Sequence, residues 1–81
     1  MTVQIRLFAA ARQLAGRDIV ELELPPGATV AQLRVVLAQR VPQLADLMDH
    51  CLLAVDCEYV GDETGIEPGA QLACIPPVSG G

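Results

Sequence analysis

The residues best suited to chemistry stand at the end of the chain, which reads Pro76-Pro77-Val78-Ser79-Gly80-Gly81. Two consecutive prolines fix two φ angles, remove two backbone donors and favour an extended backbone. A strand that runs into them cannot continue, so residues 76–81 are expected to leave the folded body as a flexible arm. At ~3.3 Å per extended residue the arm reaches roughly 20 Å. The paired glycines carry no Cβ and can pass through a channel too narrow for other residues. The arm ends on the Gly81 carboxylate, whose unperturbed pKa of about 3.5 keeps it ionised at neutral pH. Once joined to AMP it would become a mixed anhydride open to attack by sulfur or nitrogen. An arm with such an end suits a carrier better than an enzyme; the alternative is an ordinary frayed terminus.

Other chemistry-bearing residues are sparse. Cys51, Cys57 and Cys74 are odd in number, widely spaced and form no CxxC pair. They indicate neither a zinc site nor a dithiol centre, and small packing residues are the expectation for all three. His50 has no partner motif for metal or triad chemistry and reads as a surface or helix-end residue. Asp62-Glu63 and the Glu21/Glu23 pair fit solvated turns and strand edges better than acid–base work.

The composition sets the frame for these residues. The 81 residues make one domain, aliphatic in character and nearly free of aromatics. Ten acidic side chains against five arginines and no lysine give a net charge of −5. That balance argues against nucleic acid, which needs a basic surface. It suits a partner with a basic groove, or serves solubility alone. No stretch approaches the ~20 apolar residues of a membrane span, and the N-terminus lacks signal-peptide character. The cytoplasm is the expected location.

The elements that must carry the arm follow from periodicity. TVQIRLF alternates, with Val3, Ile5 and Leu7 on one face, and DIVELEL does the same with Val20, Leu22 and Leu24. Between them AAARQLAG predicts a short helix stopped by Gly16. Thr29 and Gln32 fit a capping box at the head of the main helix, on which Val30, Leu33, Leu37 and Val41 recur at helical spacing. Pro42 ends it and opens a second short helix, PQLADLMDH. CLLAVD, an almost continuous apolar run, predicts a central strand. EYV and QLACI complete the set, with GDETGIEPGA as turn material. The order argues an α+β fold with a mixed sheet covered on one face, organised as a domain over 1–75 and a tail over 76–81.

Several segments together resemble the MoaD branch of the MoaD/ThiS sulfur-carrier family, which has a ubiquitin-like β-grasp fold. LFAAARQLAG matches a Phe-Ala-x-x-Arg-x-Leu-x-Gly pattern through Phe8, Ala9, Arg12, Leu14 and Gly16. ATVAQLRVVL, LLAVDCEYV and above all ACIPPVSGG carry the likeness along essentially the whole chain. Two features depart from the pattern. Cys74 and Ile75 stand where aromatic residues often precede Pro-Pro, and Glu67-Pro68-Gly69-Ala70-Gln71 replaces a run like Asp-Gly-Asp-Glu.

The resemblance implies a non-catalytic, sulfur-carrying subunit of molybdopterin synthase. A ubiquitin-activating-type adenylyltransferase would adenylate the Gly81 carboxylate with ATP and magnesium, neither of them bound by this chain. A persulfide donor would convert it to a thiocarboxylate, and the large synthase subunit would receive the tail. There sulfur would pass to cyclic pyranopterin monophosphate, within a heterotetramer of two small and two large subunits. Gly80 would give steric access, and Pro76, Pro77, Val78 and Ser79 would make tail contacts. Phe8, Arg12 and Ile75 are candidates for the docking surface, with core packing the alternative for Phe8 and a solvated helix position the alternative for Arg12. Rival readings are a sulfur carrier for thiazole or cysteine synthesis and a modifier conjugated through Gly81 to lysines. A β-grasp ferredoxin fails for want of four cysteines.

Overall fold

The computed structural model describes residues 1–77. Strand β1 (Thr2–Leu7) buries Val3, Ile5 and Leu7 and exposes Thr2, Gln4 and Arg6, as its alternation requires. Helix α1 (Ala9–Ala15) follows and closes on Gly16, which adopts the left-handed conformation at φ +74. Strand β2 (Ile19–Glu23) returns antiparallel to β1, in a register from Thr2↔Glu23 to Arg6↔Ile19.

Helix α2 (Val30–Arg40) is nucleated by a fully satisfied N-terminus. Thr29 Oγ1 accepts from the Gln32 N–H at 3.3 Å, and Gln32 Oε1 accepts from the Thr29 N–H at 2.9 Å. The remaining first-turn donors are taken by the following loop, with the Val30 N–H bonded to the Thr64 carbonyl and the Ala31 N–H to that of Asp62, both at 2.9 Å. The capping box contributes about 1 kcal/mol. The loop bonds also tie residues 62–64 to the helix. Val30, Leu33 and Leu37 face inward and are fully buried. Each such side chain stabilises the fold by roughly 1.5–3 kcal/mol.

The chain then turns through a 3-10 segment (Pro42–Leu44) into the one-turn helix α3 (Ala45–Met48). Strands β3 (Leu52–Val55), β4 (Glu58–Val60) and β5 (Leu72–Ile75) finish a five-stranded sheet in the order β2-β1-β5-β3-β4. The β1–β5 pair is parallel and the other three pairs are antiparallel. One face of this mixed sheet packs on α2, the arrangement the sequence predicts. Arg34 fastens the covering layer. Its Nε bonds Asp62 Oδ1 at 2.8 Å and its Nη1 donates to the Met48 carbonyl, joining α2 to the 62–64 loop and to α3.

Four expectations are corrected. CLLAVD does form an interior strand, but β5 holds the centre, because it alone pairs with both β1 and β3. The apolar run is not buried throughout either, since Leu52 is half exposed. PQLADLMDH forms a 3-10 turn and then a single α-helical turn instead of one helix. Cys57 is not a packing residue. It is exposed in a two-residue hairpin turn with Asp56, at φ +72 and +51 respectively.

Candidate functional site

β5 delivers the chain to Pro76 from the middle of the sheet, flanked by β1 and β3 along its length. Pro76 is buried and Pro77 exposed. Val78, Ser79, Gly80 and Gly81 lie outside the described residues.

The sheet face away from α2 is open, and it is divided by chemistry. Cys74 and Leu53 point into the core, so their neighbours Ile75 and Leu52, themselves cross-strand partners, occupy the open face. Ala73 pairs with Ala54, and Ala54 in turn with Tyr59. Ala54 is buried yet stands apart from the core cluster, as expected for a small residue on the outer face. Phe8 adds an aromatic ring to this face. It lies on a shallow groove with Arg6, Ile19 and Ala73, is 41% exposed, and is therefore not a core residue. The end of the sheet nearest Pro76 thus presents Phe8, Ile75 and Leu52, with Tyr59 on the same face at the level of Ala73, out on the edge strand. Exposed apolar side chains grouped in this way mark an interaction surface.

Towards β2 the same face becomes charged. Arg6 sits opposite Ile19, Glu21 opposite Gln4, and the Thr2 hydroxyl donates to the Glu23 carboxylate. Arg12, by contrast, pairs with Asp18 at 3.4 Å, with both side chains more than half exposed. An exposed pair of this kind contributes under ~1 kcal/mol.

Two thiols lie directly beneath the base of the tail. Burial pushes both Cys74 and Cys51 up from the ordinary thiol value. The neighbouring thiol raises Cys74 further and, with Arg34, partly offsets the shift at Cys51. Thiols held protonated in this way are poor nucleophiles. His50 is exposed just after α3, its N–H bonded to the Leu47 carbonyl at 3.0 Å. Among the described residues no group of three or more His, Cys, Asp or Glu side chains is placed to hold a metal ion.

The family model described as the ThiS family matches residues 5–81. The chain belongs to the ThiS family. Relatives within reach of alignment include the molybdopterin synthase sulfur carrier subunit of Arabidopsis thaliana, 34% identical over 98% of this chain and 82% of that protein. The subunit of the same name from Homo sapiens is also 34% identical, over 98% of this chain and 93% of that protein. Among solved structures, SAMP1 from Haloferax volcanii superposes with a TM-score of 0.88 at 27% identity, each chain covered completely. This ThiS family chain therefore has the ubiquitin-like β-grasp fold. Leu52 and Tyr59 were not singled out from the sequence. Leu52 was hidden inside a continuous apolar run, and Tyr59, the lone tyrosine, carried no periodic context.

Proposed function

We propose that this chain is the sulfur carrier subunit of a molybdopterin synthase, itself non-catalytic, acting through the terminal carboxylate of Gly81. The observation that carries the reading is the near full-length likeness to relatives named as that subunit. It is supported by an apolar face grouped beside the point where the chain leaves the sheet. In this account an adenylyltransferase of the ubiquitin-activating type, using ATP and magnesium, converts the carboxylate to an acyl adenylate and releases pyrophosphate. The outer sulfur of a persulfide donor then attacks the acyl carbon and displaces AMP. A second thiol, on the donor or in solution, cleaves the resulting acyl disulfide, leaving the thiocarboxylate on Gly81 and a disulfide on the thiol side. The face bearing Phe8, Leu52, Ile75 and Tyr59 seats the large subunit. The tail, organised as residues 76–81, reaches the active site there and delivers sulfur to cyclic pyranopterin monophosphate. Pro76 and Pro77 direct the tail, Val78 and Ser79 line its passage, and Gly80 lets it through.

The test is a reconstitution. The chain prepared with a thiocarboxylate at Gly81 is mixed with the large subunit and the pterin precursor, and dithiolene formation is followed. Turnover of one sulfur per carrier is expected, with none from the carboxylate form.

A second reading has its own observation. SAMP1 of Haloferax volcanii, whose fold is shared over the full chain, also appears in a structure named small archaeal modifier protein 1. A modifier would share the adenylation step and then form an amide with a lysine on a target. Adducts to lysine-bearing proteins, formed in place of the thiocarboxylate, would favour it.

A further inference from the structure

The free edge of β2 lies on the far side of the sheet from β4. Its backbone hydrogen bonding can be followed pair by pair. Met1 and Leu24 exchange both bonds, with the Leu24 N–H donating to the Met1 carbonyl at 2.8 Å and the Met1 amine to that of Leu24 at 2.6 Å. At the other end the Leu7 N–H donates to the Asp18 carbonyl at 2.7 Å. The register between these points joins Val3 to Leu22 and Ile5 to Val20. In an antiparallel ladder the bonded pairs alternate. Val20, Leu22 and Leu24 therefore turn their backbone groups towards β1, and Ile19, Glu21 and Glu23 turn theirs outward. No described strand pairs with that outer edge. A groove runs along it, with Leu22 and the α2 residues Val36, Gln39 and Arg40 on one side and Glu21 and Glu23 on the other.

The opposite edge of the sheet differs. β4 has three residues, and its short length protects it from pairing. β2 has five, and the features that limit pairing there are its two carboxylates, spaced two residues apart on one face. In an edge-to-edge dimer those carboxylates would be brought together on one face, which is unfavourable. For a strand carrying positive charge at alternate positions the same carboxylates are attractive partners.

We propose that the β2 edge is a second docking site, which takes an extended, basic segment of a partner protein as a sixth strand. Backbone bonds to Ile19, Glu21 and Glu23 would supply affinity. Alternate side chains of the incoming strand would meet the Glu21 and Glu23 carboxylates on the sheet face and Val36, flanked by Gln39 and Arg40, on the helix side. β1 separates this edge from β5 and the tail, so the site does not depend on the carrier reading.

The probe is a capped synthetic heptapeptide of alternating valine and lysine, added to isotope-labelled full-length protein and followed by amide NMR. Saturable shifts and slowed exchange at the Ile19, Glu21 and Glu23 amides are expected. Glu21→Gln and Glu23→Gln, both at exposed positions, should each weaken binding about two- to fivefold. A peptide N-methylated at alternate backbone nitrogens on its pairing edge should lose binding altogether. Three outcomes overturn the proposal: no saturation at millimolar peptide, shifts confined to Phe8, Leu52 and Ile75, or an N-methylated peptide that binds equally well, which would reveal charge attraction without strand pairing.

Discussion

The Phe8 N–H donates to the Cys74 carbonyl at 3.2 Å, so the parallel β1–β5 pairing is still held two residues before the first proline of the tail. The bond links two otherwise separate regions, the turn into α1 and the exit of β5. It also sets Phe8 on the same open face as Ile75, next to the chain's point of departure. Phe8 is the residue before Ala9, which sits at φ +50 in the left-handed region that non-glycine residues rarely adopt. The chain thus enters α1 through an unfavourable conformation while its aromatic side chain faces outward.

If that face seats the large subunit, single changes on it should separate binding from folding. Leu52 is half exposed, so Leu52→Asp should leave the thermal midpoint within a few degrees of the parent. Affinity for the large subunit, measured by calorimetry, should fall at least about tenfold, since a charge would replace apolar area to be buried. Phe8→Ala should act in the same direction. Unchanged affinity in both variants would place the interface elsewhere.

Arg34 should matter to stability more through its bond to Met48 than through its ion pair. Its own side chain is 18% exposed, but that of Asp62 is 57% exposed, so the pair is largely screened. Asp62→Asn should cost under ~1 kcal/mol in urea unfolding. Arg34→Met should cost about 1–3 kcal/mol, because the Met48 carbonyl loses its charged donor.

The thiols give a pH signature. Cys51 and Cys74 have folded-state values raised above the unfolded thiol, so the folded state keeps protons that the unfolded chain releases. Their contribution is fully present below the unfolded thiol value of about 8.5 and declines as pH rises beyond it. Unfolding free energy should therefore slope downward above about pH 9, and Cys51→Ala combined with Cys74→Ala should flatten the slope. At neutral pH a thiol reagent should label one cysteine, the exposed Cys57, in the folded protein and all three in urea.

Gly16 isolates a pure backbone effect. It sits at φ +74 with nothing within 4 Å of where a Cβ would stand. Gly16→Ala should destabilise by about 1 kcal/mol through the dihedral alone, with no clash to relieve. A neutral result in urea unfolding would show that the end of α1 relaxes easily.

Much of this was legible in the sequence wherever the signal was local. The Thr29–Gln32 capping box, the inward Val30, Leu33 and Leu37, and the alternation of β1 and β2 follow from one residue's relation to the next few. The central place of β5 was not legible, because its parallel pairing with β1 joins Ile5 to Leu72 across nearly the whole chain. The tight Asp56–Cys57 turn was equally hidden. Neither residue is glycine, and Asp56 holds its left-handed conformation with help from elsewhere, its Oδ1 accepting from the Gln71 N–H at 2.9 Å. Phe8 and Ile75, candidates from the family resemblance, do lie on the open face of the sheet. Leu52 and Tyr59 emerged only when the register of β3, β4 and β5 put them on one face.

The central claim is that sulfur travels on the carboxyl group of Gly81. It is tested most directly by the intact mass of the full chain after incubation with the adenylyltransferase, ATP, magnesium, a persulfide donor and a thiol reductant. The account predicts a mass gain equal to the replacement of one oxygen by sulfur, lost on deletion of Gly81 and retained in Cys51→Ala, Cys57→Ala and Cys74→Ala variants. Sulfur that persisted without Gly81, or that disappeared with one of the cysteines, would contradict it.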